Sequence, residues 1–339
     1  MRTSLLRSVA AGGLVLSAAC SGAAAAASVA GADISDQEVA AAAGVFTSVA
    51  SLSTSPCGEV ATEGDTQEAS CNRFTLGALI GFSVAEDYAA ANGIVLTDDE
   101  VTDTADRFAL NFGEGALQAA LDANGATYDQ FVTVLRGSML QQEVAAALVE
   151  STVSEDELRA QYDEDLASHV IVQADHILVE TREEADAVYA EVTAPGATRE
   201  DFLALAVEVS KDPGVEQNGG ALASTPVSQF TPGLREAVLE LEVDRISPPV
   251  QSEFGWHVIH MVQKEVTPFE DVRADLVASR AGPAFAEHER GLLDNGDIQV
   301  NPRFGRLDPQ TLIVVRITST DPLASAEPSG PVNVAPPQG

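Results

Sequence analysis

Basic residues are scarce in this chain of 339 residues. Its 18 lysines and arginines stand against 52 aspartates and glutamates, which gives a formal net charge of -34 at pH 7. A surface of that sign repels phosphate backbones and anionic lipid headgroups. The composition therefore argues against a nucleic-acid-binding protein, and the acidic excess indicates solubility rather than one specific acidic site.

The apolar run at the N-terminus is short. It covers residues 8–19, it follows Arg2 and Arg7, and no acidic residue precedes Asp33. Such a run is too short to span a bilayer permanently, since about 20 residues are needed. Positive charge followed by a short apolar segment is typical of an export signal. We predict a signal peptide at residues 1–19 and an exported protein.

The signal peptide ends in a stretch that resembles a bacterial lipobox. Residues 16–20 read Leu-Ser-Ala-Ala-Cys, and in a lipobox the cysteine is acylated and becomes the mature N-terminus. The resemblance implies lipidation at Cys20, a flexible tether at residues 20–33 and anchoring on the extracytoplasmic face of the cell membrane. The alternative is cleavage nearby by the ordinary signal peptidase, which the Ser-Ala-Ala sequence also suits.

Cysteine is equally sparse, with three residues in the whole chain. An exported protein with three cysteines has one too many for disulfides. Cys57 and Cys71 are the natural pair, and their bond would close a loop worth about 3 kcal/mol. Cys20 is then left for acylation.

Three segments share the sequence pattern of a helix start. Ser35, Thr97 and Ser154 are each followed by a glutamate three residues later, which is the capping-box pattern. These boxes predict helices that begin near residues 36, 98 and 155, and apolar residues recur at helical spacing between them. We therefore predict a helical domain at residues 34–166.

The pattern changes to α+β over residues 167–266. The predicted order is a strand at 169–179, two helices at 182–192 and 199–209, a short strand, a short helix, a proline-marked edge strand and a final strand at 256–262. Residues 267–317 are predicted to add a helix and a strand that pack on the helical domain. The tail at 318–339 has no hydrophobic pattern, so we expect it to be disordered.

Five ordered motifs in residues 168–266 resemble those of parvulin-type peptidyl-prolyl cis/trans isomerases. They read ADHILV from Ala174, SKDPG from Ser210, NGGAL from Asn218, QFTP from Gln229 and FGWHVI from Phe254. The helical region before them is similar to the chaperone domain of SurA/PrsA-type export foldases. The resemblance implies a parvulin domain with a small antiparallel sheet flanked by helices.

The resemblance also implies the site. His176 and His257 would be paired histidines on neighbouring strands, and Asp212 would be the polar residue that faces the isomerising bond, although it could instead only cap its Asp-Pro-Gly turn. The apolar proline pocket would be formed by a further set of residues. These substrate-binding residues are Leu222, Phe230, Thr231, Leu234 and Phe254.

The implied activity is isomerisation of X-Pro bonds in unfolded exported polypeptides, with chaperone activity and without a cofactor. His257 and His260 do not suggest a metal site, because residues three apart in a strand face opposite sides. The sequence departs from the family pattern after the glycine pair, where Ala221 replaces an acidic residue. Two alternatives therefore stay open: a holdase whose parvulin domain is inactive, and a cell-wall structural or solute-binding lipoprotein.

Overall fold

The computed structural model describes residues 25–53, 55–59, 64–113 and 115–317. The helices are α1 Asp36–Leu52, α2 Gln67–Asn92, α3 Asp98–Asn111, α4 Ala116–Ala123, α5 Tyr128–Thr152, α6 Glu155–Glu164, α7 Arg182–Val192, α8 Arg199–Val209, α9 Val215–Asn218, α10 Pro232–Glu240 and α11 Phe269–Asn295. The strands are β1 Ala27–Val29, β2 Ala32–Ile34, β3 Val170–Val179, β4 Thr225–Pro226, β5 Val250–Ser252, β6 Gly255–Val266, β7 Ile298–Val300, β8 Arg306–Leu307 and β9 Val314–Val315.

The predicted helix starts are confirmed. Ser35, Thr97 and Ser154 each accept a hydrogen bond from the backbone of the glutamate three residues later, whose side chain returns to the cap. Such a cap stabilises a helix by about 1 kcal/mol because it satisfies backbone N–H groups that have no partner inside the helix. No helix of the described ranges is long and apolar enough to cross a bilayer.

The described residues form two compact units. One contains the residues up to Val144 together with those from Phe285 onward, and the other is Ala145–Ala284. These divisions fall inside α5 and α11, at other positions than the domain boundaries predicted from the sequence, and the predicted boundaries stay a prediction.

The first unit is mainly helical. One core cluster of this unit includes Val45 of α1, Leu121 of α4 and Phe131 of α5. Cys57 and Cys71 lie at disulfide distance, with their Cα atoms 5.0 Å apart. Cys57 lies in the polar loop that leads into α2, and Cys71 lies in the first turns of that helix.

The segment predicted as a tether differs from the expectation. From residue 27 onward it forms β1 and β2, and β1 pairs on its other side with β7 in a three-stranded antiparallel sheet. The physical reason is burial, because Ala27 and Val29 are at most 3% exposed. The signal peptide, Cys20 and the predicted disordered tail lie outside the described residues.

The second unit holds a four-stranded antiparallel sheet in the order β4, β3, β6, β5. Helices α7 and α8 pack on one face through Val188 and Phe202, while α10 packs on the other through Leu234 and Val238. The predicted order of strands and helices is confirmed, with the four-residue helix α9 as an addition. This two-faced packing fixes which side chains of β3 and β6 point toward α10.

Candidate active site

The two central strands bring His176 and His257 together. In the β3–β6 register His176 lies opposite Ile259 and His257 lies opposite Leu178, so the two histidines are diagonal neighbours on one face of the sheet. Their ring centroids are 5.9 Å apart and the ring planes differ by 23°. Residues separated by 81 positions thus form one imidazole pair, as the family resemblance implies.

Asp212 contacts the first histidine of this pair. Its Oδ2 lies 2.7 Å from His176 Nε2, while its Oδ1 accepts a 3.1 Å hydrogen bond from the Gly214 backbone. The turn-capping interpretation of Asp212 is therefore confirmed, and its place opposite the isomerising bond stays a prediction. One oxygen caps the Asp-Pro-Gly turn, and the other is free to bind the imidazole.

The position of Asp212 is fixed by the residues that follow the end of α8. Ser210, the residue after the helix, accepts a hydrogen bond from the Leu178 backbone through its hydroxyl, and the Lys211 N–H donates to the Leu178 carbonyl at 2.7 Å. The chain after α8 is therefore joined to β3 two residues from His176. These two hydrogen bonds hold the segment that carries Asp212 next to the His176 ring.

The Asp212 carboxyl is an ionised acceptor at neutral pH. Burial opposes its ionisation, but the hydrogen bonds from His176 and from the Gly214 backbone together hold its pKa below the usual value. An ionised acceptor requires the His176 Nε2 to carry the proton. The second ring nitrogen of a neutral His176 is then an acceptor.

His257 has a different partner, Ser252, which the sequence analysis missed. The Ser252 hydroxyl lies 2.7 Å from His257 Nε2 and accepts a 3.0 Å hydrogen bond from the Phe254 N–H. Because β5 and β6 form a tight hairpin, Ser252 lies beside the ring of His257, which follows it by five residues. That spacing, followed by Gly255 at the turn, was the signal in the sequence.

His257 is a neutral imidazole at physiological pH. It is 4% exposed, and burial followed by the neighbouring His176 lowers its pKa to about 4, against the opposing charge of Asp212. Its Nδ1 has no hydrogen-bond partner among the described residues. A neutral ring can accept at one nitrogen and donate at the other without carrying charge into an apolar site.

The five predicted pocket residues occupy different surroundings. Leu234 is buried in the core between the sheet and α10, and Phe230 packs against the same cluster. Leu222 is half-buried and is joined to β3 by a backbone hydrogen bond to Ala174. Phe254 is 68% exposed at the β5–β6 turn. Thr231 precedes α10, and its hydroxyl oxygen is buried without a partner in the described chain.

His260 lies on the opposite face of the sheet from His257. Its Nδ1 is 3.0 Å from the Asp175 carboxylate, which also accepts hydrogen bonds from Arg199 at 2.7 and 2.9 Å. Burial opposes ionisation of Asp175, yet the hydrogen bonds from Arg199 and His260 bring its pKa below the usual value. The sequence analysis did not identify this group, because its members come from β3, α8 and β6.

Comparison with known proteins supports the isomerase resemblance. Residues 169–263 match the family model of the PPIC-type PPIase domain, also called rotamase. Foldase protein PrsA 4 of Bacillus cereus is 30% identical over 222 residues, which cover 61% of this chain and 72% of the relative. Foldase protein PrsA of Oceanobacillus iheyensis is 28% identical over 261 residues, which cover 75% of this chain and 79% of the relative. The crystal structure of a PrsA peptidylprolyl isomerase from Bacillus cereus is 25% identical, with a TM-score of 0.40 over 73% of this chain and 95% of that one.

Proposed function

This chain belongs to the PrsA foldase family, and we propose that it isomerises X-Pro bonds in unfolded exported polypeptides through the site around His176 and His257. The domain that carries the site is a PPIC-type peptidyl-prolyl isomerase domain. The observation that supports the proposal most strongly is the contact between the two imidazoles, with Asp212 at 2.7 Å from one ring and Ser252 at 2.7 Å from the other.

The reaction breaks no covalent bond. Rotation about a peptide bond faces a barrier of about 18–20 kcal/mol because the amide nitrogen is conjugated with the carbonyl. An enzyme lowers that barrier by binding the twisted amide more tightly than either planar form. Exclusion of water and an apolar pocket for the proline ring both favour the twisted form, in which the amide nitrogen is no longer conjugated with the carbonyl.

The proposed roles follow from the surroundings of each side chain. Leu222, Phe230, Thr231, Leu234 and Phe254 would seat the proline ring. His257, which is neutral, would orient the polar groups next to the amide together with His176. Asp212 would hold the His176 proton on Nε2 and so fix the orientation of that ring.

We also propose that the protein acts outside the cytoplasm on a lipid anchor. The signal peptide at residues 1–19 and the lipobox-like Cys20 support this. Metabolic labelling with radioactive palmitate tests it: wild type should incorporate label into the membrane fraction, and Cys20→Ser should lose both label and membrane retention. Unlabelled wild type would contradict the anchor.

A disulfide between Cys57 and Cys71 would form in that oxidising location. The helical residues 34–166 would hold unfolded clients.

A coupled assay separates the proposal from its alternatives. The rate of cis-to-trans isomerisation of an Ala-Pro peptide is measured with wild type, with His257→Ala and with His288→Ala, alongside suppression of aggregation of an unfolded client. His288 and its ring partner Tyr88 both belong to the mainly helical unit, so the His288→Ala variant controls for the loss of a histidine outside the isomerase unit. We expect wild type and His288→Ala to be active and His257→Ala to be impaired.

The alternatives predict other outcomes. A holdase with an inactive isomerase domain would suppress aggregation without raising the isomerisation rate of the peptide above background. A structural or solute-binding lipoprotein would do neither. Either result would contradict the proposed function.

A further inference from the structure

The face of the isomerase sheet opposite to the histidine pair carries an ion pair between the buried carboxylate of Asp175 and the half-exposed side chain of Arg199. Asp175 is completely buried, and the Arg199 guanidinium donates to both of its carboxylate oxygens, at 2.7 and 2.9 Å. Two parallel hydrogen bonds of this kind fix the relative orientation of the two groups as well as their distance. An unpaired buried carboxylate would be strongly unfavourable, so Asp175 needs a cationic partner, and Arg199 provides one from the start of α8.

Arg199 is the first residue of α8, and the chain beyond the other end of that helix carries Asp212. The helix is 11 residues long. One end is therefore joined to β3 at Asp175, and the residues that follow the other end contact His176, the very next residue of β3. Successive residues of a strand face opposite sides, so these two contacts lie on opposite faces of β3. Helix α8 is attached to one face, and the segment that follows it is attached to the other.

A third contact ties α8 to the backbone of His176. The Gly220 carbonyl accepts a 2.8 Å hydrogen bond from the His176 N–H. A Cβ added to Gly220 would lie only 2.6 Å from the Cβ of Ala206, a completely buried residue in the middle of α8. The Ala206 methyl group fills the space beside Gly220, so α8 packs directly against this glycine.

We propose that Asp175 and Arg199 are positioning residues, which set the placement of α8 and thereby the contact between Asp212 and His176 on the opposite face of the sheet. This inference rests on the proposed isomerase function for its catalytic consequence. His260 supports the arrangement by donating to the same carboxylate from β6. Neither Asp175 nor Arg199 touches the substrate.

The main test variant is Arg199→Lys in the full chain. Lysine keeps the charge but lacks the planar fork, so it cannot make the two parallel hydrogen bonds. Arg199→Gln is a second variant, which also removes the charge. Val188→Ala is the matched control, because Val188 is buried in the same core but belongs to α7.

Two measurements are made on each folded variant. NMR records the titration of the Asp212 carboxyl and the His176 ring Nε2–H signal, and a peptide assay gives kcat/KM for X-Pro isomerisation. We expect Arg199→Lys to raise the Asp212 titration midpoint, to weaken the Nε2–H signal and to lower kcat/KM between about tenfold and a hundredfold, since a displacement of about 1 Å has costs of that size. Val188→Ala should lower the unfolding midpoint without changing the NMR signals.

The outcomes separate the two claims. If both Arg199 variants fold and leave the Asp212 titration and the His176 signal as in wild type, the positioning role is wrong. If Val188→Ala changes those signals as much as Arg199→Lys does, the effect is one of general stability and the positioning role is also wrong. If wild type shows no isomerisation, the proposed function fails, and the NMR signals alone decide whether Arg199 positions Asp212.

Discussion

His257 lies directly opposite Leu178 in the β3–β6 register, two residues along the strand from His176. A shift of one residue in this pairing would turn His257 to the face that packs on α7 and α8. The imidazole pair therefore depends on the register, and the register depends on the two apolar faces. Measurements on single residues around the pair test this dependence.

Asp212→Asn should lower kcat/KM for X-Pro isomerisation by about 10- to 100-fold. The amide oxygen can still accept from the Gly214 backbone, but the charge-assisted hydrogen bond from His176 is lost, and such bonds contribute about 1.5–3 kcal/mol. Lys211→Gln, on the same exposed turn, is the control and should remain within about twofold of wild type. Equal activity of Asp212→Asn and wild type would restrict Asp212 to capping its turn.

Ser252→Ala should destabilise the isomerase unit by about 1–3 kcal/mol, because it leaves a buried nitrogen of His257 unpaired. Ser252→Thr, which keeps the hydroxyl, should recover most of the loss. Trp256, the single tryptophan of the chain, lies in β6 and reports unfolding of this unit by fluorescence during urea titration. Ser224→Ala, which removes a hydrogen bond to Gln173 outside the site, is the control. A stable Ser252→Ala variant would contradict the role of this contact.

Stability of the isomerase unit should fall as the pH is lowered from about 6.5 to about 4. Burial, followed by His176, lowers the pKa of His257 to about 4 in the folded chain, whereas in the unfolded chain the ring binds the proton near its ordinary pKa of 6.5. The unfolded state thus binds more protons than the folded state between these pH values. The free energy of unfolding therefore falls by on the order of 3 kcal/mol by about pH 4. Above the unfolded pKa this contribution is fully present.

The difference between wild type and His257→Gln isolates this effect. Other groups titrate over the same range, including Glu289, where burial raises the pKa to about 7, and their contributions cancel in the difference. Urea unfolding followed by Trp256 fluorescence gives the free energy of unfolding at each pH. The pH dependence should be shallower in His257→Gln, and identical slopes would show that His257 is not held neutral.

Gly220→Ala should be far more damaging than Gly219→Ala. Both glycines have positive φ, +88° and +65°, so alanine is strained by about 1–2 kcal/mol at either position. A Cβ at Gly220 meets Ala206 at 2.6 Å and the His176 carbonyl at 3.2 Å, whereas a Cβ at Gly219 meets no described atom within 4 Å. Overpacking adds about 1–3 kcal/mol at Gly220 alone. Thermal unfolding of the two variants checks this, and equal losses would contradict the close approach of α8.

Local patterns in the sequence predict much of this structure. Ser35, Thr97, Ser154 and Thr181 each cap a helix because the glutamate that completes the box lies three residues away, within the same turn. The Ile-Leu-Val run of β3 identifies a buried strand, because this pattern also lies within a few consecutive residues. The histidine pair needed the family resemblance as well, since local pattern does not show which strands are neighbours.

Long-range partners were not predictable in this way. Asp175 and Arg199 are 24 residues apart on different elements, and an aspartate in a strand gives no sign of which arginine will face it. Val29 was assigned to a tether because its neighbours are small, but its partner strand begins at Ile298 near the other end of the chain. Ser252 was missed because its contact depends on how tightly the chain turns at Gly255, where φ is +137°.

We propose that the proline ring of a client sits against the paired histidines while its amide rotates. NMR exchange spectroscopy on an Ala-Pro peptide with the full-length protein measures both parts, through the cis/trans exchange rate and the contacts of the ring protons. We expect exchange well above the uncatalysed rate, with contacts from the proline ring to Phe230 and Leu234, and loss of the accelerated exchange in the double variant His176→Ala/His257→Ala. Unaccelerated exchange in wild type, or ring contacts only to residues outside 169–263, would contradict it.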